Sequence, residues 1–449
     1  MPGPVGPGEL RRVAEAAFDL PGADGVEVLA LHEWGGLTRF ASSAIHQSTW
    51  REDTGVRVRV VAGGRVGVAA TNDLSEGGAR EAAASALEMA EVAAPDPLFP
   101  GLAPSAPVPE KRAFDEATAA ATPKRRADMV AALVARIGEG FRAAGALETT
   151  GTEVALANTE GQFCYAPASQ ATLSTVVSGG EGGAGTAERT AVRLDEVDPE
   201  AVGDDAFRRA RESQRPRHLA PGDYEVVLEP LAVATLAAFL GYIGFGGKAI
   251  EEGRSAFSGR AGERVAAESV TIRDDALVPG DPGLPFDFEG TPKQRVTLID
   301  RGVFVSGVYD RRSAAQGGRA STGHGLPAPN PEGPFPLNLV LEPGDATLEQ
   351  MIASTRRGLL VTRFHYSNVV HPIETTITGM TRDGTWLIEG GEVREPVKNL
   401  RFTQSILGAL SAVELVGRDT TIASEFFFSA SRVPALKIAS FTFSGASDH

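Results

Sequence analysis

Cysteine is almost missing from this chain: Cys164 is the only one in 449 residues. A single thiol closes no internal disulfide and builds no cysteine-rich zinc cluster, which suits a reducing compartment. Histidine is scarce too, with seven residues, so a histidine-based metal site would draw on a short, countable set. Basic charge is in deficit, 43 Lys and Arg against 58 Asp and Glu, for a formal net charge of -15. Affinity for nucleic acid comes mostly from cations that neutralise phosphates, and no basic run offsets the deficit, so no nucleic-acid partner is expected. The apolar run Leu231 to Ile243 is shorter than the ~20 residues that span a bilayer, so no membrane segment is expected. The opening residues, Met1 to Phe18, have no apolar core behind a basic end, and the expected location is cytoplasmic.

What is present is ordinary for a soluble globular chain: 42% hydrophobic and 22% charged residues. The length calls for two or three domains. Leu10 to Leu20 has helical spacing and stops at Pro21-Gly22. Val26 to Leu31 reads as a strand, and Val56 to Val61 alternates Val with Arg, the pattern of a half-buried strand. Gly63-Gly64 predicts a hairpin turn into Arg65 to Ala70. Asn72 to Ser75 caps an Ala-rich helix over Glu76 to Val92, and Pro95 to Pro109 is a surface connector. Met129, Leu133, Ile137 and Phe141 at four-residue spacing predict a helix over Pro123 to Ala144. Strands are expected from Thr149 to Val177, and a charged helix over Pro199 to Gln214. The segment from Arg215 to Gly222, with two prolines, divides an N-terminal α/β domain (1–214) from a β-rich C-terminal domain (215–449). The fold class is α+β. In the second domain strands are expected at Val265 to Ile272, Arg295 to Tyr309, Asn338 to Leu341 and through much of Thr375 to Phe443, with a helix over Thr347 to Thr355.

Several motifs invite a chemical reading and fall short of it. His32-Glu33 begins a zinc-peptidase pattern, but that chemistry wants a second histidine on the same helical face, and positions 36 and 37 are Gly36 and Leu37. Gly180 to Gly185 matches GxGxxG, yet Thr186 to Val192 is not an apolar-faced helix and no alternating βαβ series follows, so a loop is the better reading. The acidic residues Asp195, Glu196, Asp198, Asp204 and Asp205 lack the spacing of a calcium loop. Asp287 and Glu289 would share a strand face as an acid and base, but the following Gly290 points to a turn. His365 and His371 are six apart, about 20 Å on a straight strand. Only a chain reversal at Ser367-Asn368, with His324 from a neighbouring loop, would make them a three-histidine metal site.

The chain is organised around Tyr224 to Val265. An alternating strand leads through Pro230, a helix-start proline, into the apolar helix Leu231 to Ile243. Here and over more than half its length the sequence resembles the TldD/PmbA family of metallopeptidase-related proteins. The resemblance rests on Leu156 to Gly161, Pro221 to Leu228, Ser255 to Arg260, Phe286 to Pro292, Ser321 to Gly325 and Gly379 to Gly384, taken in that order.

The resemblance implies two kinds of subunit. TldD-type chains carry HExxxH on the helix after the Val-Val-Leu strand, with a late cysteine completing the zinc site. TldE/PmbA-type chains lack those ligands and pair with a TldD-type subunit. A gapless match from Val226 to Ser258 puts Ala238, Phe239 and Ile243 at the His, Glu and His positions, and no cysteine follows Cys164. The expectation is therefore a TldE/PmbA-like subunit without its own zinc, catalysis being supplied by a TldD-like zinc-bearing partner that acts on unfolded peptides. Ala238, Phe239 and Ile243 are expected to face the core. The alternatives are a non-catalytic homodimer that binds peptides or assists assembly, and an autonomous metalloenzyme using His324, His365 and His371.

Overall fold

The computed structural model describes residues 3–424 and 430–446, and its architecture is α+β. The N-terminal half opens with helix α1 (Pro7–Glu15) and two long antiparallel strands, β1 (Gly25–Ala41) and β2 (Ala44–Ala62). Strand β3 (Arg65–Thr71) follows the Gly63-Gly64 turn, where φ is 57° and 73°. Such positive values suit the primed turns that match strand twist. Helix α2 (Glu76–Val92) begins where Ser75 Oγ accepts from the Gly78 amide, at 3.0 Å. A short helix α3 (Glu116–Ala119) and α4 (Pro123–Val134) lead into β4 (Phe141–Asn158), β5 (Phe163–Gly179) and β6 (Gly183–Ala191). Helix α5 (Pro199–Glu212) closes this half. The six strands make one antiparallel sheet in the order β3-β2-β1-β4-β5-β6. Two apolar clusters fix helices to it: α1 and α2 through Val13, Ala79 and Ala83, and α4 and α5 through Met129, Leu133 and Ala206.

The C-terminal half starts with β7 (Gly222–Leu228), α6 (Pro230–Ile243) and α7 (Gly247–Glu251). Short elements follow: β8 (Ile272–Asp274), β9 (Val296–Asp300), β10 (Val303–Phe304), α8 (Arg311–Gln316), β11 (Leu339–Leu341) and α9 (Leu348–Ala353). Then come β12 (Arg357–His371), β13 (Thr376–Glu389), β14 (Glu392–Pro396), β15 (Leu400–Ser405), α10 (Ile406–Ser411), β16 (Val413–Ala423) and β17 (Ser431–Ala446). Strand β7 pairs in parallel with β12 and antiparallel with β17. With β13 and β15 between those two, the five strands close into a ring. Side chains of a strand alternate between its faces. Val226, Leu228, Leu359, Val361, Leu436 and Ile438 therefore join the main core with α6, while Val227, Leu360 and Ala435 meet Met351 of α9 on the other side.

Helix α6 follows directly from its sequence. Pro230 takes the first helical position, where its missing N–H is no loss, and Ala and Leu favour the helix that follows. Ten of its fourteen residues are buried, each large apolar one contributing about 1.5–3 kcal/mol. Gly241 marks a close approach: a Cβ there would stand 3.0 Å from Leu339 Cδ1 and 3.3 Å from Pro336 Cγ.

Some expectations are corrected. The helix from Pro123 ends at Val134 rather than Ala144, because Gly138-Glu139-Gly140 breaks it, with Gly140 at φ 81°. Phe141 instead opens β4, its ring edge-on to Phe207 of α5 at 5.2 Å. Val265 to Ile272 is a loop up to Ile272, where the three-residue β8 begins. The glycine-rich Gly180 to Gly185, expected to be a loop, is the β5–β6 hairpin turn running into β6, in keeping with that reading.

Candidate functional site

The structure separates the three candidate histidines. His324 is fully buried, its Nε2 2.8 Å from Asp274 Oδ1 and its Nδ1 2.9 Å from Thr322 Oγ1. Both ring nitrogens are thereby engaged, and burial together with Lys293 pushes its pKa down against the pull of Asp274. His365 and His371 lie on β12, which runs on through Ser367-Asn368 with no chain reversal. Tyr366 stands at φ 50° in an irregularity of the pairing, a bulge that re-aims side chains without folding the strand back. His371 ends the strand in solvent, where its Nδ1 accepts from the Glu374 amide at 3.2 Å. No group of three or more His, Cys, Asp or Glu placed to hold a metal ion occurs among the described residues.

The other motifs take structural roles. His32 and Glu33 lie in the middle of β1, not at a strand end. His32 is buried, bridges Glu153 (3.2 Å) and Glu52 (3.1 Å), and stacks on Trp34 at 4.8 Å. Glu153 also accepts from the Val5 and Gly6 amides and from Tyr165, so it ties the N-terminal segment to the sheet. Asp198 caps α5 and Asp195 pairs with Arg193. Asp287 shapes the turn at Gly290 (φ 77°): its Oδ1 accepts from the Glu289 and Thr291 amides, and its Oδ2 from that of Gly325. Burial and the nearby Glu289 push the Asp287 carboxyl up to about 7.

Of the cavities lined by both halves, two bear on the candidate residues. The first, about 410 Å³, is bounded by Thr235 and Phe239 of α6, by Arg363, His365 and Ser367 around the β12 bulge, and by Glu188 of β6. Of the three candidate histidines, His365 alone lies on this wall. Burial and the cations Arg363 and Arg382 hold its pKa below the usual histidine range. The second cavity, about 360 Å³, lies between β1, β4 and β5 on one side and the Pro282–Phe288 segment, Lys293 and Asn338 on the other. Nothing in residue type or spacing singles out Lys293; only its burial does.

The three residues expected at the zinc-motif positions do not behave alike. Phe239 is 7% exposed, joins the main core and lines the first cavity. Ile243 is buried. Ala238 is half-buried, so the expectation that all three face the core fails for it. Its position on the helix turns it partly outward. None of the three carries an atom able to ligate zinc, so these positions do not fit the metal.

Three family models match the chain in order: PmbA/TldA metallopeptidase domain 1 over residues 26–90, the central domain over 102–214, and the C-terminal domain over 221–445. The chain belongs to the PmbA/TldD metallopeptidase family. No HExxxH occurs anywhere in its sequence. The family models divide the N-terminal half in two around residues 91–101, although one sheet spans both parts. A metalloprotease of Methanothermobacter thermautotrophicus is 29% identical over 174 residues, 38% of this chain and 37% of that protein. The metalloprotease PmbA of Escherichia coli O157:H7 is 25% identical over 247 residues, 54% of this chain and 51% of that protein. The matches thus span between about a third and a half of the length of these curated relatives. The crystal structure of TldE from Thermococcus kodakarensis has the same fold, with a TM-score of 0.87 at 20% identity, covering 98% of this chain and 99% of that one. No helix among the described residues is long and apolar enough to cross a membrane.

Proposed function

We propose that this chain is the zinc-free subunit of a two-subunit cytoplasmic peptidase, in which a TldD-like partner holds the zinc and cleaves unfolded peptides. The observation that carries this reading is the replacement of the whole HExxxH set on α6, by Ala238, Phe239 and Ile243. An apolar triplet gives no ligand and no general base, while the helix that bears it keeps its full packing. The family fold is thus maintained without the family's metal chemistry. In this role the chain walls off the partner's active site, and the peptide is held as an extended strand, a mode in which main-chain hydrogen bonds give affinity with little demand on sequence.

The test is reconstitution. The purified chain, supplied with stoichiometric zinc, is expected to bind no metal by elemental analysis and to cleave no unfolded peptide. Mixed with a TldD-like subunit encoded in the same genome, it is expected to co-purify with it and to yield peptidase activity. Hydrolysis by the chain alone, or a stable self-dimer that ignores the TldD-like subunit, would sink the proposal.

A further inference from the structure

The second cavity has a polar feature that the fold does not account for. Lys293 is 6% exposed and lies on its wall, and its Nζ has no hydrogen-bond partner among the described residues. The neighbouring carboxylates are already taken. Asp274 accepts from His324 and from the Asn338 amide, each at 2.8 Å. Asp287 accepts from three backbone amides. A buried ammonium with three unused donors is costly unless something accepts from them. The wall also carries an apolar patch, Leu31, Val154, Leu284, Phe286, Phe288 and Leu337, beside polar residues that include Asp287, Thr152, Gln170 and Asn338. An apolar patch with a few well-placed polar groups is the usual form of a small-ligand pocket, and 360 Å³ lies at the small end of their range.

The charge layout narrows the ligand. On the solvent side, Glu33 and Glu148 outnumber Arg51, which is paired with Glu33. That acidic rim disfavours phosphates and other multiply charged anions, and tolerates a ligand with a single negative group that can pass inward. A carboxylate meets the requirement: its two oxygens accept from an ammonium, and an attached apolar side chain covers the leucine and phenylalanine walls.

We propose that this cavity binds an α-carboxylate bearing an apolar side chain, with Lys293 as the carboxylate anchor. Two sources share that chemistry, a single amino-acid derivative and the C-terminus of a short peptide. The site needs no metal and no partner subunit, so its test is independent of the reconstitution above.

The full-length chain alone is titrated by calorimetry with N-acetyl-leucine, N-acetyl-leucyl-leucine and the C-terminal amide of the latter. A free acid is expected to bind, and the amide to bind at least about tenfold more weakly, a 1.4 kcal/mol difference. Preference for the dipeptide identifies a peptide terminus, and equal affinity identifies a single-residue ligand. Lys293→Met is expected to remove the preference for acid over amide and, because it takes a cation from beside the buried Asp274 and Asp287, to melt lower than the wild type. Lys293→Arg, which keeps the cation, is expected to retain the acid preference. Thr152→Trp, on the opposite wall, is expected to block binding with Lys293 intact. Equal binding of acid and amide, undiminished acid binding by Lys293→Met, or no binding of either acid by the wild type overturns the proposal.

Discussion

Glu27 shows how a single buried carboxyl sets a pH response. It lies 3.3 Å from Arg59, opposite it across the β1–β2 pair, and is 3% exposed. Burial raises its pKa from 4.5 to about 7 against the pull of Arg59, with Glu289 adding to the rise. A group whose folded pKa lies above its unfolded one favours the folded state when protonated. Its ionisation penalty is absent below about 4.5, grows as pH rises, and is complete above about 7. Glu27→Gln carries no such penalty. Thermal melts of the variant and the wild type are therefore expected to diverge with pH, the difference in Tm shifting in favour of the variant from pH 5 to pH 8. A difference that is flat in pH would mean that Glu27 titrates normally.

At the scale of elements, α6 holds the C-terminal core together and has little tolerance for added volume. Gly241→Val would set methyl groups against Leu339 and Pro336, which are already in contact range of a single Cβ. Overpacking costs about 1–3 kcal/mol, and valine recovers less than about 1 kcal/mol of helix propensity over glycine. Urea unfolding is expected to show a net loss. A gain in stability would mean that β11 and the Pro336 segment yield freely. The same helix was legible from its residues, since Pro230, the Ala-Leu run and the terminal glycines all act locally. The two N-terminal hairpins show where such legibility stops. Gly63-Gly64 announces its turn, but the β1–β2 turn is made by Ser42 and Ser43 at φ 51° and 59°, values that two serines do not advertise. Before Val56, β2 is mostly exposed and shows no periodic burial, and beyond Leu31 the alternating burial of β1 falls on His32, Trp34, Thr38 and Phe40 among glycines and polar residues, so only a core of each strand could be read. The helix misjudged past Val134 had the right four-residue spacing, and two glycines overrode it. At the candidate site, the apolar character of Ala238, Phe239 and Ile243 was readable because it is a matter of residue identity. Lys293 was not, because its significance lies in burial and lost partners, which depend on chain segments more than a hundred residues apart.

At the scale of the molecule, the two halves are joined by a mixed seam of apolar and ionic contacts. Phe286 and Phe288 enter the cluster of Leu29, Val154 and Leu156 on the N-terminal sheet. Gln162 Nε2 donates to the Gly290 carbonyl at 2.7 Å, and Arg311 Nη2 to that of Leu102 at 3.0 Å. Arg59 sits between Glu27 and Glu289, with Glu289 3.4 Å away and also accepting from the Arg311 amide at 3.0 Å. A seam of this kind couples the halves, so they should unfold as one unit. Tryptophan reports on both sides, Trp34 and Trp50 in the N-terminal half and Trp386 in the C-terminal half. Variants that retain only one side's tryptophans are expected to give coincident urea transitions, and separated midpoints would show that the seam is weak. Arg59→Met removes the shared cation and leaves two buried carboxylates facing each other, at a cost of about 3–5 kcal/mol. That cost is expected to be full at pH 8 and smaller at pH 5, where Glu27 takes up a proton and the repulsion fades. An Arg59→Met cost that does not shrink on acidification would place the coupling in the apolar contacts alone.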